Sequence, residues 1–272
     1  MPTSNLSSAN FPAASPALES FGLKFSSGGA HISRTMMLAE LTDLLRAHPE
    51  QTTTPDQFRT SINIDNILGK RTLATRKLTF QRLSELYGLD PALPIFRVLR
   101  RLWESDRAGR PMLALLVAYA RDPLLRATVR PVLMLSVGKI ATTAMLDEEL
   151  AGRLGTRLNP SVRKDVAMRT ASTWTQSGHL TGRAKKARSS PKVTPAVVAL
   201  AVLLAAISGS HGRSAFTSEY VNLLDCPSSR LSPLLQQAHR AGFINFKQAG
   251  DIVEIRFPEL LTQDEEAMIH GV

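Results

Sequence analysis

The stretch SSRLSPLLQQAHRAGFINFKQAGDIVEIRFP, residues 228–258, decides how the rest of the chain is read. Leu231, Leu234, Leu235 and Ala238 recur at i, i+3, i+4 and i+7, the spacing of one apolar helix face. Ser228 and Ser229 can cap that helix, and Pro233 is tolerable only near a first turn, so the start falls between Ser228 and Ser232. Gly242 closes it. Residues 244–247 and 252–257 then alternate as strands, joined through Gln248-Ala249-Gly250-Asp251. Upstream, Thr194 caps and Pro195 opens an apolar helix over 195–208, and a further helix is expected over 216–224. Three helices and a two-stranded wing make a winged-helix domain over 193–258.

The preceding stretch, RLGTRLNPSVRKDVAMRTASTWTQSGHLTGRAKKARSSPK (153–192), carries the charge. It holds ten Lys or Arg against one acid, Asp165, so 10 − 1 = +9 of the chain's formal +10 lies here. Such a concentration points to a polyanion partner, because each neutralised phosphate releases condensed counterions. Asn159 or Ser161 can cap a helix with Pro160 in its first turn; Val162, Val166, Met168 or Arg169, Thr173 and Trp174 form its stripe, and Gly178 ends it. Gly178-His179-Leu180 opens an extended segment, and Gly182 turns the chain before the basic run 183–188. Helix, turn and basic loop read as a second winged unit; the alternative is a solvated basic helix with a flexible loop. Candidate DNA contacts are Arg163, Lys164, Arg169, Gln176, Ser177, His179, Arg183, Lys185, Lys186 and Arg188.

The N-terminal half offers a third unit. Thr54-Pro55-Asp56 starts a helix whose Phe58, Ile62, Ile64, Ile67 and Leu68 share a face up to Gly69. A second helix follows, with Leu73, Leu78, Leu83, Leu86 and Tyr87 inward. Two helices about a short Gly turn, the second starting basic, match a helix-turn-helix, which would place Lys70, Arg71, Thr75, Arg76 and Lys77 at DNA. An ordinary αα-hairpin with a positive outer face fits the same residues.

Around these units the chain is mainly helical. An earlier helix carries Met36, Met37, Leu41, Leu44 and Leu45, and stops at His48-Pro49. Residues 94–150 read as a packed bundle, with Arg97, Arg100 and Arg101 on one polar face and a last helix from Ile140. The division is thus a disordered arm rich in Ser, Ala, Pro and Gly over 1–30, a helical domain with a helix-turn-helix over 31–152, the basic unit 153–192, the C-terminal winged helix 193–258 and an acidic tail 259–272. The fold class is mainly α, a helical bundle with helix-turn-helix and winged-helix units and small β-hairpin wings.

Several chemistries find no support. One cysteine, Cys226, excludes a disulfide frame within the chain and a Cys-based zinc site. The six histidines lack partners at ligand spacing, and no phosphate-loop, dinucleotide or nucleophile-elbow motif occurs. Ser177 beside His179 invites a nucleophilic reading, but next to a glycine and a basic loop the pair reads better as phosphate or base contacts. No catalytic residue, metal or cofactor is expected. No signal peptide is recognisable, and the apolar run 193–207 is broken by Thr194 and Pro195 and is short for a bilayer, so a cytoplasmic protein without membrane contact is expected.

The run NILGKRTLATRKLTFQRL (66–83), followed by a helical middle and a C-terminal winged helix, resembles the BrxA family of small basic proteins of bacterial BREX phage-exclusion systems. Its most specific residues are Asn66, Leu68, Lys70, Arg71, Ala74, Thr75 and Arg76, and the pattern covers roughly residues 30–258. The motif TWTQSGHLTGR (173–183), the first thirty residues and the acidic tail stand outside it. The resemblance implies helix-turn-helix and winged-helix units, positive surfaces and binding to double-stranded DNA. The expected function is therefore a non-catalytic, double-stranded DNA-binding accessory of a phage-defence system, with other defence proteins as partners. Two alternatives stand beside it: a winged-helix adaptor that docks a protein, favoured by 5 − 4 = +1 over residues 193–258, and a transcription regulator of the defence operon.

Overall fold

A short polar cap followed by proline opens three of the long helices, at Thr54-Pro55, Asn159-Pro160 and Thr194-Pro195. A computed structural model describes residues 14–25 and 28–270. The chain begins with α1 (Pro16–Ser20), and a 3-10 turn over Ala30–Ile32 precedes α2 (Leu38–Ala47). Residues 1–13 and 26–27 of the expected disordered arm lie outside the described residues. The remainder of that arm is packed rather than loose: Leu18, Phe21, Leu23 and Ala30 are buried, and the Lys24 amide donates to the Ala120 carbonyl at 3.1 Å.

Helix α3 (Pro55–Asn63) is opened by a capping box between Thr54 and Gln57, and α4 (Leu73–Tyr87) by the Thr72 cap. The segment between them, 64–72, is longer than a tight glycine turn. Asn66 sits in the left-handed region (φ 54°), with its Oδ1 accepting from the Lys70 amide at 2.8 Å. Helix α3 therefore ends before Ile64 and Ile67, which are exposed instead of extending its face, and Leu73 is exposed rather than inward.

Next come α5 (Pro94–Ser105) and α6 (Arg110–Arg121). Met112 through Arg121 are all buried, so α6 forms an axis for its neighbours. The following apolar segment splits into α7 (Pro123–Arg126) and α8 (Val129–Leu133). Ile140–Ala141 then forms the strand β1 rather than the start of a helix; α9 (Thr143–Leu154) begins after its Thr142 cap.

Asn159 caps α10 (Pro160–Gln176), which is followed by β2 (Leu180–Thr181) and β3 (Lys186–Arg188). These strands form an antiparallel sheet in the order β1-β3-β2, pairing Ile140 with Ala187 and Leu180 with Arg188. The succession α8, β1, α9, α10 and the β2–β3 hairpin is that of a winged helix, so the sheet of the basic stretch is completed by β1 from outside 153–192. Gly182 is required at the hairpin: φ is +99°, and a Cβ there would lie 2.2 Å from the Lys185 carbonyl oxygen.

The C-terminal winged helix is built from α11 (Pro195–Ile207), a 3-10 segment over Gly212–Thr217, α12 (Glu219–Asn222), α13 (Ser228–Arg240) and the hairpin β4 (Asn245–Ala249) with β5 (Ile252–Arg256). Pro233 lies in the second turn of α13, deeper than a first-turn proline, where it withholds a hydrogen bond from the Ser229 carbonyl. Ala196 through Ala206 are all buried, and α11 packs against α5, α6, α12 and α13. One hydrophobic core consequently runs from Leu18 to Ile269 through every unit.

The acidic tail is not a solvated appendage. Helix α14 (Gln263–His270) places Glu265 on Arg97 at 2.6 Å, and Glu259 meets Arg101 at 2.8 Å. Arg100 leaves the polar face it shares with them in sequence: it is buried against Phe58 and Phe96 and donates to the His48 carbonyl at 2.6 Å.

The face assigned to α13 is open to a direct test. Leu235 is fully buried and Gln236 exposed. Leu235→Ala is expected to cost about 2–5 kcal/mol in urea denaturation through reduced burial and a cavity. Gln236→Ala should stay within about 0.5 kcal/mol.

Candidate nucleic-acid interface

The central winged unit separates the basic residues into structural and free groups. Four arginines of 153–192 are paired: Arg153 with Glu149 at 2.7 Å, Arg163 with Asp147 at 2.7 Å, Arg169 with Asp165 at 3.0 Å, and Arg188 with Asp225 at 2.7 Å. Arg169 also donates to the Ile32 carbonyl at 2.6 Å. Lys186 donates to Thr175 Oγ1 at 3.0 Å, and partial burial holds its ammonium below the usual lysine range. Arg157, Lys164, Arg183, Lys185 and Lys192 are exposed and form no ion pair among the described residues.

Four of these five sit on the parts a winged helix presents. Arg157 lies in the turn before α10, Lys164 on the outer face of α10, and Arg183 and Lys185 in the hairpin tip between β2 and β3. The outer face of α10 continues through Ser161 and Met168, both exposed. Met168 thus points away from the core stripe of its helix. Charge density alone does not single out Arg157 and Ser161 as interface positions, although the spacing of 161, 164 and 168 traces the face opposite Val166, Ala167 and Thr170.

Four residues expected at DNA are instead interior or tied down. His179 is fully buried, with its ring 5.1 Å from that of Trp174 in an edge-on arrangement. Its Nε2 donates to the Leu223 carbonyl at 2.8 Å, and Nδ1 accepts from the Ser177 hydroxyl at 2.8 Å. Burial, aided by the nearby Arg188 charge and opposed by the Leu223 bond, pushes the imidazole down to about 3. Ser177 is buried in the same knot. Arg188 is buried, donating to the His179 carbonyl at 3.2 Å, so no phosphate reaches its guanidinium. Gln176 bridges α10 to the N-terminal segment: its Oε1 accepts from the Leu38 amide at 3.2 Å and its Nε2 donates to Thr35 at 3.0 Å. These four residues hold the winged unit together and do not form its outer face.

The N-terminal helix pair is depleted in the same way. Lys70 pairs with Glu40 at 2.9 Å, and Arg76 donates to the Asn63 carbonyl at 2.9 Å, capping the end of α3. Thr75 Oγ1 lies 2.9 Å from Thr72 Oγ1 within the cap of α4. Arg71 and Lys77 remain exposed, with no ion pair among the described residues. The C-terminal wing is closer to neutral: Arg213 pairs with Asp251, and Arg256 with Glu254 at 2.6 Å.

Among the described residues, no group of three or more His, Cys, Asp or Glu side chains is placed to hold a metal ion, and no helix is long and apolar enough to cross a membrane. In comparisons with known proteins, no family model and no curated protein matches the chain.

The burial of His179 has a pH consequence. Its folded pKa lies below the unfolded value of 6.5, so the unfolded chain binds more protons between roughly pH 3 and 6.5, and stability falls as the pH drops through that window. At pH 5 the loss from this residue is expected to be roughly 2 kcal/mol relative to pH 8. His179→Gln should be less stable than wild type at pH 8 and show a shallower decline to pH 5 in urea denaturation. An unchanged decline would mean that another group governs it.

Proposed function

We propose that this chain is a non-catalytic double-stranded DNA-binding protein whose principal contact is the central winged unit. The observation that carries the reading is the placement of Arg157, Lys164, Arg183 and Lys185, without ion-pair partners among the described residues, on the outer helix and hairpin tip of that unit. In a helix-turn-helix the second helix enters the major groove, so α10 supplies the groove element and the tip of β2–β3 lies along the adjacent backbone. The outward residues of α10 are short or flexible, Ser161, Lys164 and Met168, with no Asn, Gln or free Arg among them to read a base edge bidentately. Binding through phosphates with weak sequence preference follows. Arg71 and Lys77 near the start of α4 provide a second, smaller contact.

Membership in a bacterial phage-defence system of the BREX type rests on the resemblance of 66–83 and on the order of helix-turn-helix and winged units. A cytoplasmic site of action, with other defence proteins as partners, belongs to the same proposal. The C-terminal winged helix suits protein docking better than DNA, because two of the five basic residues in 193–258 pair with acids on or beside its hairpin.

The triple variant Lys164→Ala, Arg183→Ala, Lys185→Ala tests the interface by mobility shift over a salt series. Affinity for random duplex should fall, and the slope of log K against log salt should flatten by roughly 0.9 for each phosphate no longer neutralised. The melting temperature should hold, since all three side chains are exposed. An unchanged slope would remove this surface from the DNA interface. Footprinting on the protein's own promoter separates the accessory from a regulator, which would protect one defined operator.

A further inference from the structure

A pocket of ≈ 360 Å³ lies where the N-terminal segment meets the end of α4 and the junction of α6 with α7. Its wall includes Lys24, Gly28, Gly29, Arg82, Glu85 and Arg121. The cations there are under-neutralised. Arg121 donates only to backbone, to the Gly22 carbonyl and to those of Glu85 at 3.1 Å and Ser84 at 3.3 Å. Arg82 pairs with Glu85 at 2.6 Å, yet its Nε is enclosed and has no hydrogen-bond partner. Lys24 is half-buried and makes no ion pair among the described residues. Three cations and one carboxylate line the wall, and a second acid, Asp122, lies behind it at Gly29, engaged with His31 at 2.8 Å.

We propose that this pocket binds a small phosphate-bearing anion, held by Lys24, Arg82 and Arg121. Two guanidinium groups and an ammonium converging on a partly enclosed space favour a multiply charged oxyanion, and guanidinium donors match phosphate oxygens in pairs. The volume admits a diphosphate or a phosphate ester as well as free phosphate. Burial lowers the basicity of Lys24, and the Arg121 charge lowers it further, against opposing contributions from Glu85 and Asp122. Without an anion the wall therefore carries mutually repelling charges, and binding relieves them. Because the wall joins the N-terminal segment, α4 and the α6–α7 junction, occupancy also braces these three elements against one another. This site stands whether or not the chain binds duplex DNA.

The test uses the full chain in phosphate-free buffer at constant ionic strength set by chloride. Pyrophosphate and inorganic phosphate are titrated by calorimetry, and the melting temperature is followed alongside. Saturable binding with a rise in melting temperature is expected. Lys24→Met should weaken pyrophosphate binding at least tenfold without lowering the ligand-free melting temperature, because it removes a desolvated cation beside another. Arg82→Gln should weaken binding likewise and serves if Lys24→Met fails to fold. Absence of saturation, or an equal melting response in wild type and the folded variants, overturns the site. Competition identifies the anion's source: displacement of pyrophosphate by duplex DNA makes it a backbone phosphate, and simultaneous binding makes it a free phosphate compound. Either result retains the pocket.

Discussion

The buried carboxylate of Asp122 is the interaction on which the arrangement of the units depends. Its Oδ1 caps α7 by accepting from the amides of Leu124 at 2.9 Å and Leu125 at 3.2 Å. Its Oδ2 accepts from the His31 amide at 3.1 Å and from His31 Nδ1 at 2.8 Å. The other ring nitrogen of His31 lies 2.7 Å from Thr173 Oγ1 on α10, and that oxygen also accepts from the Met36 amide at 2.8 Å. Burial alone would push the carboxyl up, but His31 more than offsets it by charge and hydrogen bonds, so Asp122 is held below the usual carboxylate range. One acid thus joins the N-terminal segment, the α6–α7 junction and α10 of the central winged unit. Gly29 is part of the same constraint, since a Cβ there would lie 2.2 Å from Asp122 Oδ1. Removing one partner of such a network leaves buried polar atoms unpaired, which costs more than the bond itself.

Charge is the strongest signal in the sequence, and the fold subdivides it. Arg100, Arg121 and Arg126 are buried and donate to backbone carbonyls: His48 beyond α2, Ser84 and Glu85 at the end of α4, and Tyr119 near the end of α6. A cation at a helix C-terminus meets the negative end of the dipole and satisfies carbonyls that have no intrahelical donor. These arginines act as fasteners. The acids cluster in sequence but disperse in space, Asp147 and Glu149 onto α9–α10, and Glu259 and Glu265 onto α5. Within 153–192, what remains without an ion pair among the described residues and is exposed is Arg157, Lys164, Arg183, Lys185 and Lys192, half of what a count along the sequence gives.

How legible the fold is depends on the range of the cause. Caps are local, and Thr54, Asn159 and Thr194 can be read with their prolines because the bond and the φ restriction lie within four residues. The apolar spacing of α13 and the alternation of β4 and β5 are local too. The strand β1 is not legible, since two residues carry no periodicity and their partner Lys186–Arg188 lies more than forty residues away. His179 misleads for the same kind of reason. Its neighbours in sequence are Ser, Gly and a basic loop, but its neighbours in space are Trp174 and the Leu223 carbonyl. Ile64 and Ile67 fail in the opposite direction, because Asn66 enters the left-handed region and ends the helical pattern that apolarity alone would continue.

The division into units is one of topology rather than of independent cores. Helix α11 belongs by sequence to the C-terminal winged helix, yet it is buried on every side and packs on α5 and α6 of the preceding bundle. A helix that is apolar all round has no solvent face, so α11 must be enclosed by both units at once. A second tie crosses at Arg188, whose bonds to the His179 carbonyl and to Asp225 link the central hairpin to the segment before α13. His179 repeats the link through the Leu223 carbonyl. The two winged helices are therefore fixed to each other by shared core and by buried hydrogen bonds. The outer face of α10 and the β4–β5 hairpin are thus held at a set angle to each other.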